Sequence, residues 1–327
     1  MCDALQQGGK APDGEVAIRI RREAARLGFA AIGFASPDPQ PLAMQRVDDM
    51  VSEHRSGDLN YIAEGKAERA DPSLLLPGLH TIVSAAISYN VSVSYVEGVP
   101  KISRYALLSD YHTIVRRKLE ELLEVIRAIV GEPLNARITV DSAPVLEKNW
   151  AEQAGIGKTG KNTLLKVPSA GSWIFLGEIL VDRLIREQPH VLPNYCGSCG
   201  ECLEHCPTGA LVSPGKIDAS RCISYLTIEL KRDFTPEEAA MIGEWMFGCD
   251  RCQEVCPYNR QATIQGHEAF QVRPELLELT TDQILGLGSA GFRKLFYGTP
   301  IYRIGLRRLK RNARAVADNL NRKRSGS

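Results

Sequence analysis

Two runs of cysteines constrain what this chain can fold into more than any other feature. Eight cysteines lie between residues 196 and 256, in the order Cys196, Cys199, Cys202, Cys206-Pro207, Cys222, Cys249, Cys252 and Cys256-Pro257. Such spacings before a Cys-Pro pair are typical of ferredoxins with two [4Fe–4S] clusters, in which the last cysteine of one run binds the other cluster. The pattern therefore predicts two clusters that lie close together.

The same rule divides the eight cysteines into two sets of four. The first cysteine set is Cys196, Cys199, Cys202 and Cys256, and the second cysteine set is Cys206, Cys222, Cys249 and Cys252. Cys222 completes the second set because no other cysteine is nearby, so this set departs from the ferredoxin pattern. A zinc site and a disulfide framework are the alternatives, although the first favours two separated pairs and the second short secreted chains. Cys2 is expected to be an incidental thiol.

The chain is too long to be a ferredoxin alone. Its 327 residues, 44% of them hydrophobic, suffice for at least two folded units. No export signal is recognisable near the N-terminus, and the apolar region at 74–96 is interrupted by proline, glycine and polar residues. We therefore expect a cytoplasmic protein without a membrane partner, in a compartment that keeps thiols reduced. Nothing in the pattern indicates an obligate oligomer, so a monomer is expected.

The formal net charge of +1 conceals a basic C-terminal tail. Residues 293–327 contain eleven Lys and Arg but one acid, Asp318. A solvated helix face with a frayed end explains such a tail as well as a surface that binds phosphates. Both interpretations are open at this point.

Helical and strand-like patterns alternate along the first half of the chain. They predict an α/β or α+β catalytic domain over 1–185, a ferredoxin-like two-cluster module over 186–265 and a short helical C-terminal segment over 266–327. The clearest predicted helices cover 16–27, 42–55, 111–130 and 145–154. The predicted strands cover 29–34, 81–89, 137–140, 163–167 and 173–181. Their order in a sheet cannot be deduced from the pattern.

Two motifs resemble binding signatures that their surroundings do not support. The glycine loop at 155–162 matches a dinucleotide fingerprint and nearly matches a P-loop, but a helix is predicted before it and a strand after it, the reverse of the required order. A close approach of this loop to another large ligand is therefore favoured. Asp110-Tyr111-His112 begins like the Asp-x-His-x-x-Gly signature of corrinoid proteins, but Val115 stands in place of the glycine.

The chain resembles the epoxyqueuosine reductase family, which completes queuosine in bacterial tRNA. The resemblance covers nearly the full length and rests on the cysteine runs together with the motifs at 102–106, 110–112, 140–147, 154–162, 171–178 and 222–227. It implies a nitroreductase-like domain that holds cobalamin beside the ferredoxin-like module. Electrons from an external low-potential donor would pass through both clusters to cobalt. The reduced corrinoid would then remove the epoxide oxygen of the wobble base as water.

The resemblance also assigns roles to individual residues. Asp141 matches the family's catalytic aspartate and is expected to protonate the departing oxygen, a poor leaving group until protonated. Its position after a strand is also typical of a helix N-cap. The residues expected to contact cobalamin are Arg69, Ser103, Asp141, Lys161 and Asn162. Tyr105 and Tyr111 are candidates for stacking on the wobble base, or else ordinary half-buried tyrosines.

The expected partner is a tRNA anticodon stem-loop that contacts the basic tail. Longer family members carry a helical-repeat extension for RNA, and this sequence stops short of it. Two other functions are open: a corrinoid reductase that acts on a small molecule, similar to reductive dehalogenases, and a ferredoxin-type electron carrier. The large unit before residue 185 disfavours the carrier.

Overall fold

The computed structural model describes residues 14–131, 133–187, 191–264 and 267–325, so Cys2 lies outside the described residues. The helices are α1 (Glu15–Arg26), α2 (Pro41–Ser52), α3 (Tyr61–Glu64), α4 (Lys66–Ala70), α5 (Tyr111–Val130), α6 (Glu147–Gln153), α7 (Glu201–Glu204), α8 (Ile223–Ile228), α9 (Pro236–Met241), α10 (Arg251–Glu254), α11 (Pro257–Arg260), α12 (Thr281–Gly286), α13 (Ser289–Phe296) and α14 (Gly305–Ser325). The strands are β1 (Ala31–Ala35), β2 (Thr81–Ser88), β3 (Lys101–Ile102), β4 (Ala136–Thr139), β5 (Lys158–Thr159), β6 (Leu165–Lys166), β7 (Ile174–Val181), β8 (Leu211–Ser213), β9 (Lys216–Ile217) and β10 (Trp245–Phe247). Within these ranges no helix has the length and apolar character needed to span a bilayer.

A four-stranded sheet with the order β1-β2-β7-β4 forms the centre of the N-terminal half. All three neighbouring pairs are antiparallel, so this half has an α+β rather than an α/β arrangement. β2 and β7 occupy the two central positions, and every residue of β2 is buried. Helices on both faces explain why these strands are almost continuously buried instead of alternating between buried and exposed residues.

The two faces of the sheet are covered by different helices. On one face, α1 and α5 contribute the buried side chains Ile20, Leu119 and Ile126 to a core shared with the strands. On the other face, Trp150 of α6 packs against a second set of strand residues. α5 begins where the Asp110 carboxylate accepts a hydrogen bond from the backbone N–H of His112 at 3.0 Å, as an N-cap does. This cap fixes the position of Tyr111 and His112 beside the end of β4.

The cluster module and the C-terminal helices share a third core. β10 pairs in parallel with β3, and α14 packs on β10 and α8. Ile102 and Leu107, from the predicted first domain, lie in this core together with Phe296 and Leu309. The boundaries 1–185, 186–265 and 266–327 stay a prediction. The C-terminal segment is more extensive than expected, because α14 alone has 21 residues and is anchored by its buried face.

Most predicted elements of the first half are present, with shifted ends. The predicted helix 111–130 coincides with α5, whereas the predicted strand 163–167 is reduced to the two residues of β6. Thr163 has a φ of 64°, a left-handed conformation that a strand cannot include, and it forms the turn between β5 and β6. The glycine loop therefore leads from α6 into a short hairpin. This is the reversed order that disfavoured a nucleotide-binding loop.

Candidate redox site

The eight described cysteines are free thiols on short loops and single-turn helices. Burial alone would raise the pKa of Cys206, but backbone N–H groups of Leu211, Thr208 and Ala210 lower it below its ordinary value. Burial raises the pKa of Cys222, against opposing hydrogen bonds from the Ser224 and Tyr225 amides. Amide hydrogens directed at sulfur stabilise thiolates and are a usual feature of iron–sulfur sites. The surroundings of these cysteines therefore fit thiolate ligands of clusters.

The thiols influence one another electrostatically, both within each predicted set and between the two sets. The pKa of Cys202 is raised by burial and then by the nearby Cys196 and Cys256. Burial also raises the pKa of Cys252, which has Cys222 and Cys206 as neighbours and Cys202 of the first set as a further one. Cys249 is close to Cys252 and Cys222. Cys252 is thus influenced by thiols of both sets, and the division of the cysteines between two clusters stays a prediction.

The glycine loop at 155–162 is hydrogen-bonded to both cysteine runs. The backbone N–H of Lys161 lies 3.4 Å from Sγ of Cys196, and its Nζ donates to the carbonyl of Cys199 at 2.7 Å. Nδ2 of Asn162 donates to the carbonyl of Cys252 at 3.3 Å. This loop thus connects the sheet domain to both runs, and its contact with the corrin stays a prediction.

A cavity of about 650 Å³ lies between the sheet domain and the cluster module. All four members of the second cysteine set line it, and no member of the first set does. Of the residues predicted to contact cobalamin, Ser103, Asp141 and Asn162 line the cavity, whereas Arg69 and Lys161 do not. Arg69 instead donates to the carbonyls of Tyr61 and Ile62, both at 3.1 Å. Among the described residues, no histidine lines this cavity.

Asp141 is held at the cavity wall by hydrogen bonds from three sides. The Tyr111 hydroxyl donates to its Oδ2 at 2.6 Å, and Nε2 of His112 lies 3.2 Å from the same oxygen. Its backbone N–H donates to Oε1 of Glu147 at 2.8 Å, and its φ is 56°. Leu146 rather than Asp141 occupies the N-cap position of α6. The alternative prediction that Asp141 caps a helix is therefore wrong.

His112 bridges two carboxylates, Asp110 and Asp141. Its Nδ1 lies 2.7 Å from Oδ1 of Asp110, and the hydrogen bonds to Asp110 and then to Asp141 raise the pKa of His112 to about 9. The pKa of Asp141 is lowered, mainly by His112 and further by Tyr111. At neutral pH the transferable proton is thus on the imidazolium and Asp141 is ionised. The role expected for Asp141 requires a proton on its carboxyl group, whereas this hydrogen-bonded environment favours the ionised form.

Two further acids lie behind Asp141. Burial and the charge of Asp141 raise the pKa of Glu147 to about 7. Glu178 is fully buried in β7, and burial raises its pKa well above the ordinary value. Thr139 donates to one of its oxygens at 3.1 Å, while the other, like the Ser84 hydroxyl on the neighbouring strand, has no hydrogen-bond partner among the described residues.

Ser103 reaches the cavity together with Asp250. The Ser103 hydroxyl donates to Oδ1 of Asp250 at 2.5 Å, and the backbone N–H of Arg104 donates to Oδ2 at 2.7 Å. Asp250 is fully buried between two cavity-lining residues, Cys249 and Arg251. Ser103 therefore anchors a buried acid of the second cysteine run.

Tyr105 and Tyr111, the candidates for stacking on a base, pack against other aromatic rings of the protein. Tyr111 stacks on Phe175 with a centroid distance of 4.3 Å and on His112 at 4.1 Å. Since two rings cannot occupy the same face, Tyr111 has no open face for a base. Tyr105 contacts Tyr111, Phe175 and Phe247 edge-on or tilted. The interpretation as half-buried tyrosines is favoured for both.

Residues of the basic tail divide between the surface and the interior. Arg303 lines the cavity and pairs with Glu229 at 2.9 Å. Arg311 is buried and donates to the carbonyls of Leu226 and Leu230 near the end of α8, at 3.0 and 2.8 Å. Exposed basic side chains of the tail are Arg293, Lys294, Arg303, Arg307, Arg314, Arg322, Lys323 and Arg324.

Several residues of the site were not identified from the sequence. His112 was considered only within an incomplete corrinoid signature, and Glu147, Asp250 and Arg303 had no assigned role. The Asp-x-His pair at the start of a helix was the available signal for His112, because an N-cap aspartate lies close to the side chain two residues later. Glu147 and Asp250 gave no such signal, since their roles depend on contacts that only the fold creates.

An α+β unit joined to two sets of free cysteines, with an acid and one of those sets on a common cavity, defines an iron–sulfur oxidoreductase. Residues 195–259 match a family described as a 4Fe-4S double cluster binding domain, and residues 69–142 match one described as epoxyqueuosine reductase QueG. The chain belongs to the epoxyqueuosine reductase family.

Curated relatives share most of their length with this chain. An epoxyqueuosine reductase of Pseudomonas aeruginosa is 42% identical over 305 residues, which cover 91% of this chain and 83% of that protein. The Cellulophaga algicola epoxyqueuosine reductase is 36% identical, with 90% of this chain and 95% of the relative covered. The Escherichia coli relative is 38% identical, with coverages of 93% and 81%.

Two solved structures of the family are similar over most of the chain. One is an epoxyqueuosine reductase with an epoxyqueuosine-modified tRNA-Tyr stem loop, with a TM-score of 0.83 and 29% identity, covering 94% of this chain and 82% of that one. The other is the Bacillus subtilis enzyme with its catalytic aspartate loop swung out of the active site, with a TM-score of 0.85, 29% identity and the same coverages.

Proposed function

We propose that this enzyme reduces epoxyqueuosine to queuosine at the wobble position of tRNA. In this reaction the epoxide takes up two electrons and two protons. Both of its carbon–oxygen bonds break, a carbon–carbon double bond forms, and the oxygen leaves as water. One observation carries the proposal: the second cysteine set and Asp141 line the same cavity in a chain of this family. A small-molecule reductase is not favoured, because the curated relatives named above are epoxyqueuosine reductases.

Electrons enter through two [4Fe–4S] clusters in this proposal. The first cysteine set holds one cluster and the second set, completed by Cys222, holds the other. The electrostatic influence of Cys202 on Cys252 supports a short path between the two clusters. Since only the second set lines the cavity, its cluster passes electrons to the substrate side and the other receives them from the external donor.

The cavity fits a large organic cofactor, and we infer that it holds cobalamin within a nitroreductase-like domain. Its volume of about 650 Å³ lies in the range of ligand sites. When bound, cobalamin would supply a low-potential metal centre able to open the epoxide. Ser103, Asn162 and Asp141 would border it, and no described residue of the cavity wall offers an imidazole to cobalt. Arg69 and Lys161 would affect cobalamin binding only indirectly, by stabilising the segments to which they donate hydrogen bonds.

Protons are delivered by Asp141 in this proposal. The Asp141 carboxylate faces the cavity with 49% of its side-chain surface accessible, so it can contact the epoxide oxygen. His112, at 3.2 Å, holds a proton that it can pass to Oδ2 of Asp141 as the oxygen leaves. Asp110 keeps the imidazole oriented from its other nitrogen. General acids of this kind contribute roughly 100- to 10,000-fold to a rate.

The tRNA is bound partly by the exposed basic side chains of the tail. Arg303 lies on the cavity wall, and further exposed cations continue along α14. Such charges bind phosphates with a strong dependence on salt. Arg311 is excluded from this role by its burial. We further propose that the enzyme works in the cytoplasm as a monomer, where its thiols stay reduced and modified tRNA is available.

The activity is tested with anaerobically reconstituted enzyme, cobalamin, a chemical reductant and an epoxyqueuosine-modified stem loop. Mass spectrometry of the nucleosides should show queuosine formed only with all components present. The Asp141→Asn variant should retain its iron, sulfide and cobalamin while the turnover rate falls at least about 100-fold. Failure of the unchanged enzyme to form queuosine would contradict the proposed substrate, and an active Asp141→Asn variant would remove Asp141 from the role of acid.

A further inference from the structure

Lys166 is a buried cation in contact with the first cysteine set. Its accessible fraction is 2%, and its Nζ lies 3.7 Å from Sγ of Cys196. Its other described hydrogen bond goes to the neutral amide oxygen of Asn162 at 3.2 Å. Among the described residues it has no carboxylate partner. Burying an unpaired ammonium costs several kcal/mol, so a counter-charge is required at this place.

The thiolates of the first set supply that charge. Cys196 is the thiolate in direct contact, because the ammonium group of Lys166 is directed at its Sγ. Four thiolates around a [4Fe–4S] core leave the assembly anionic, and reduction adds one more negative charge. A fixed cation next to it therefore stabilises the reduced state more than the oxidised state.

The fold holds the Lys166 side chain in place. Lys166 ends β6, and the hairpin to β5 returns the chain past Gly160. A Cβ atom on residue 160 would lie 1.5 Å from Nζ of Lys166, so the space left by the missing side chain is filled by the ammonium group. Asn162, which receives one hydrogen bond from this ammonium, also donates to the carbonyl of Cys252. Gly160 is therefore required at its position because any side chain there would displace the ammonium group of Lys166.

We propose that Lys166 is a positioning residue that raises the reduction potential of the cluster held by the first cysteine set. The inference rests on the cluster assignment of the proposed function. This cluster lies away from the cavity and receives electrons from the external donor. A raised potential makes that first transfer more favourable, so Lys166 determines which donors can reduce the enzyme. No bond is made or broken in this step, since one electron moves from the donor to the cluster.

The test is a redox titration of the reconstituted, cobalamin-free protein, followed by electron paramagnetic resonance. Lys166→Met should lower the equilibrium constant for reducing one of the two clusters at least tenfold, which corresponds to 59 mV for a one-electron couple. The other cluster should keep its potential. Lys166→Arg should restore most of the shift because it retains the charge.

A matched control is available on the same hairpin. Lys158, the register partner of Lys166, is paired with Glu152 and 44% of its side-chain surface is accessible, so Lys158→Met should leave both potentials unchanged. If Lys166→Met loses a cluster, Lys166→Gln provides the measurement, because it removes the charge but keeps a donor for Asn162. Equilibrium constants for cluster reduction that stay within tenfold of the wild-type values in these neutral variants would overturn the role of Lys166. Absence of iron and sulfide from the unchanged protein would instead contradict the proposed function.

Discussion

The backbone N–H of Asp141 and the side-chain carboxylate of Glu147 are joined by a hydrogen bond of 2.8 Å. The bond closes the loop between β4 and α6, and within that loop Asp141 has a left-handed φ of 56°. A non-glycine residue adopts this conformation at a cost of about 1–3 kcal/mol and keeps it only when its surroundings enforce it. Glu147 is thus a positioning residue for the proposed acid.

Removing the Glu147 carboxylate should slow the reaction without removing any cofactor. Above pH 7, where most of Glu147 is ionised, a hydrogen bond to its carboxylate contributes about 1.5–3 kcal/mol, so Glu147→Ala should lower the single-turnover rate there roughly 10- to 100-fold. Glu147→Gln keeps an oxygen that can accept from the Asp141 amide, so it should lose much less. Rates are measured with pre-reduced enzyme and the modified stem loop. Equal rates for Glu147→Ala and the unchanged enzyme would show that Glu147 does not hold the loop.

Alkaline pH should remove both stability and activity through His112. Its pKa rises from the ordinary 6.5 to about 9 on folding, so its contribution to stability is complete below pH 6.5 and is lost as the pH rises through 9. The melting temperature should therefore fall over this interval in the unchanged protein and less in His112→Ala.

The same group should set the alkaline limit of the rate, because above pH 9 the imidazole no longer holds a proton. Asp110→Asn removes the largest cause of the raised pKa, so the limit should move to lower pH. A pH profile of the single-turnover rate checks this. An identical profile in Asp110→Asn would exclude His112 as the proton store.

Local sequence signals predicted the elements that need no tertiary information. The helix 111–130 has an uninterrupted apolar period and an aspartate before its first turn, and both persist in the structure as α5 and its cap. The spacing within each cysteine run is a local signal of the same kind, since short loops keep neighbouring thiols together, whereas the division into two sets stays a prediction. The predicted strand 163–167 is shortened because Thr163, with a left-handed φ of 64°, lies in the turn of the hairpin.

The parts of the site that the sequence did not reveal depend on distant contacts. Lys166 and Cys196 are separated by 30 residues, and Ser103 and Asp250 by 147. Nothing local distinguishes Lys166 from a surface lysine or Asp250 from a solvated acid. The basic tail illustrates the same limit, because its sequence does not tell the buried Arg311 from the exposed Arg314.

Because Arg311 is buried and Arg314 is exposed, replacing the first should affect the stability of the protein and replacing the second should affect RNA binding. Arg311→Ala leaves buried carbonyls of Leu226 and Leu230 without donors, each at a cost of about 1–3 kcal/mol, so the melting temperature should fall clearly. Arg314→Ala should leave the melting temperature unchanged, weaken stem-loop binding and reduce the slope of log affinity against log salt by about 1. A flat salt response of the unchanged enzyme would exclude the tail as the tRNA contact.

Replacing Cys222 should remove one cluster, because this cysteine lies outside both runs and yet neighbours Cys206, Cys249 and Cys252. The unchanged protein should contain about eight irons and eight sulfides, and Cys222→Ser about four of each or a cluster with altered electron paramagnetic resonance. Cys2→Ser is the matched control and should keep the full content. If Cys222→Ser also retains both clusters unaltered, the second set must be completed by another ligand.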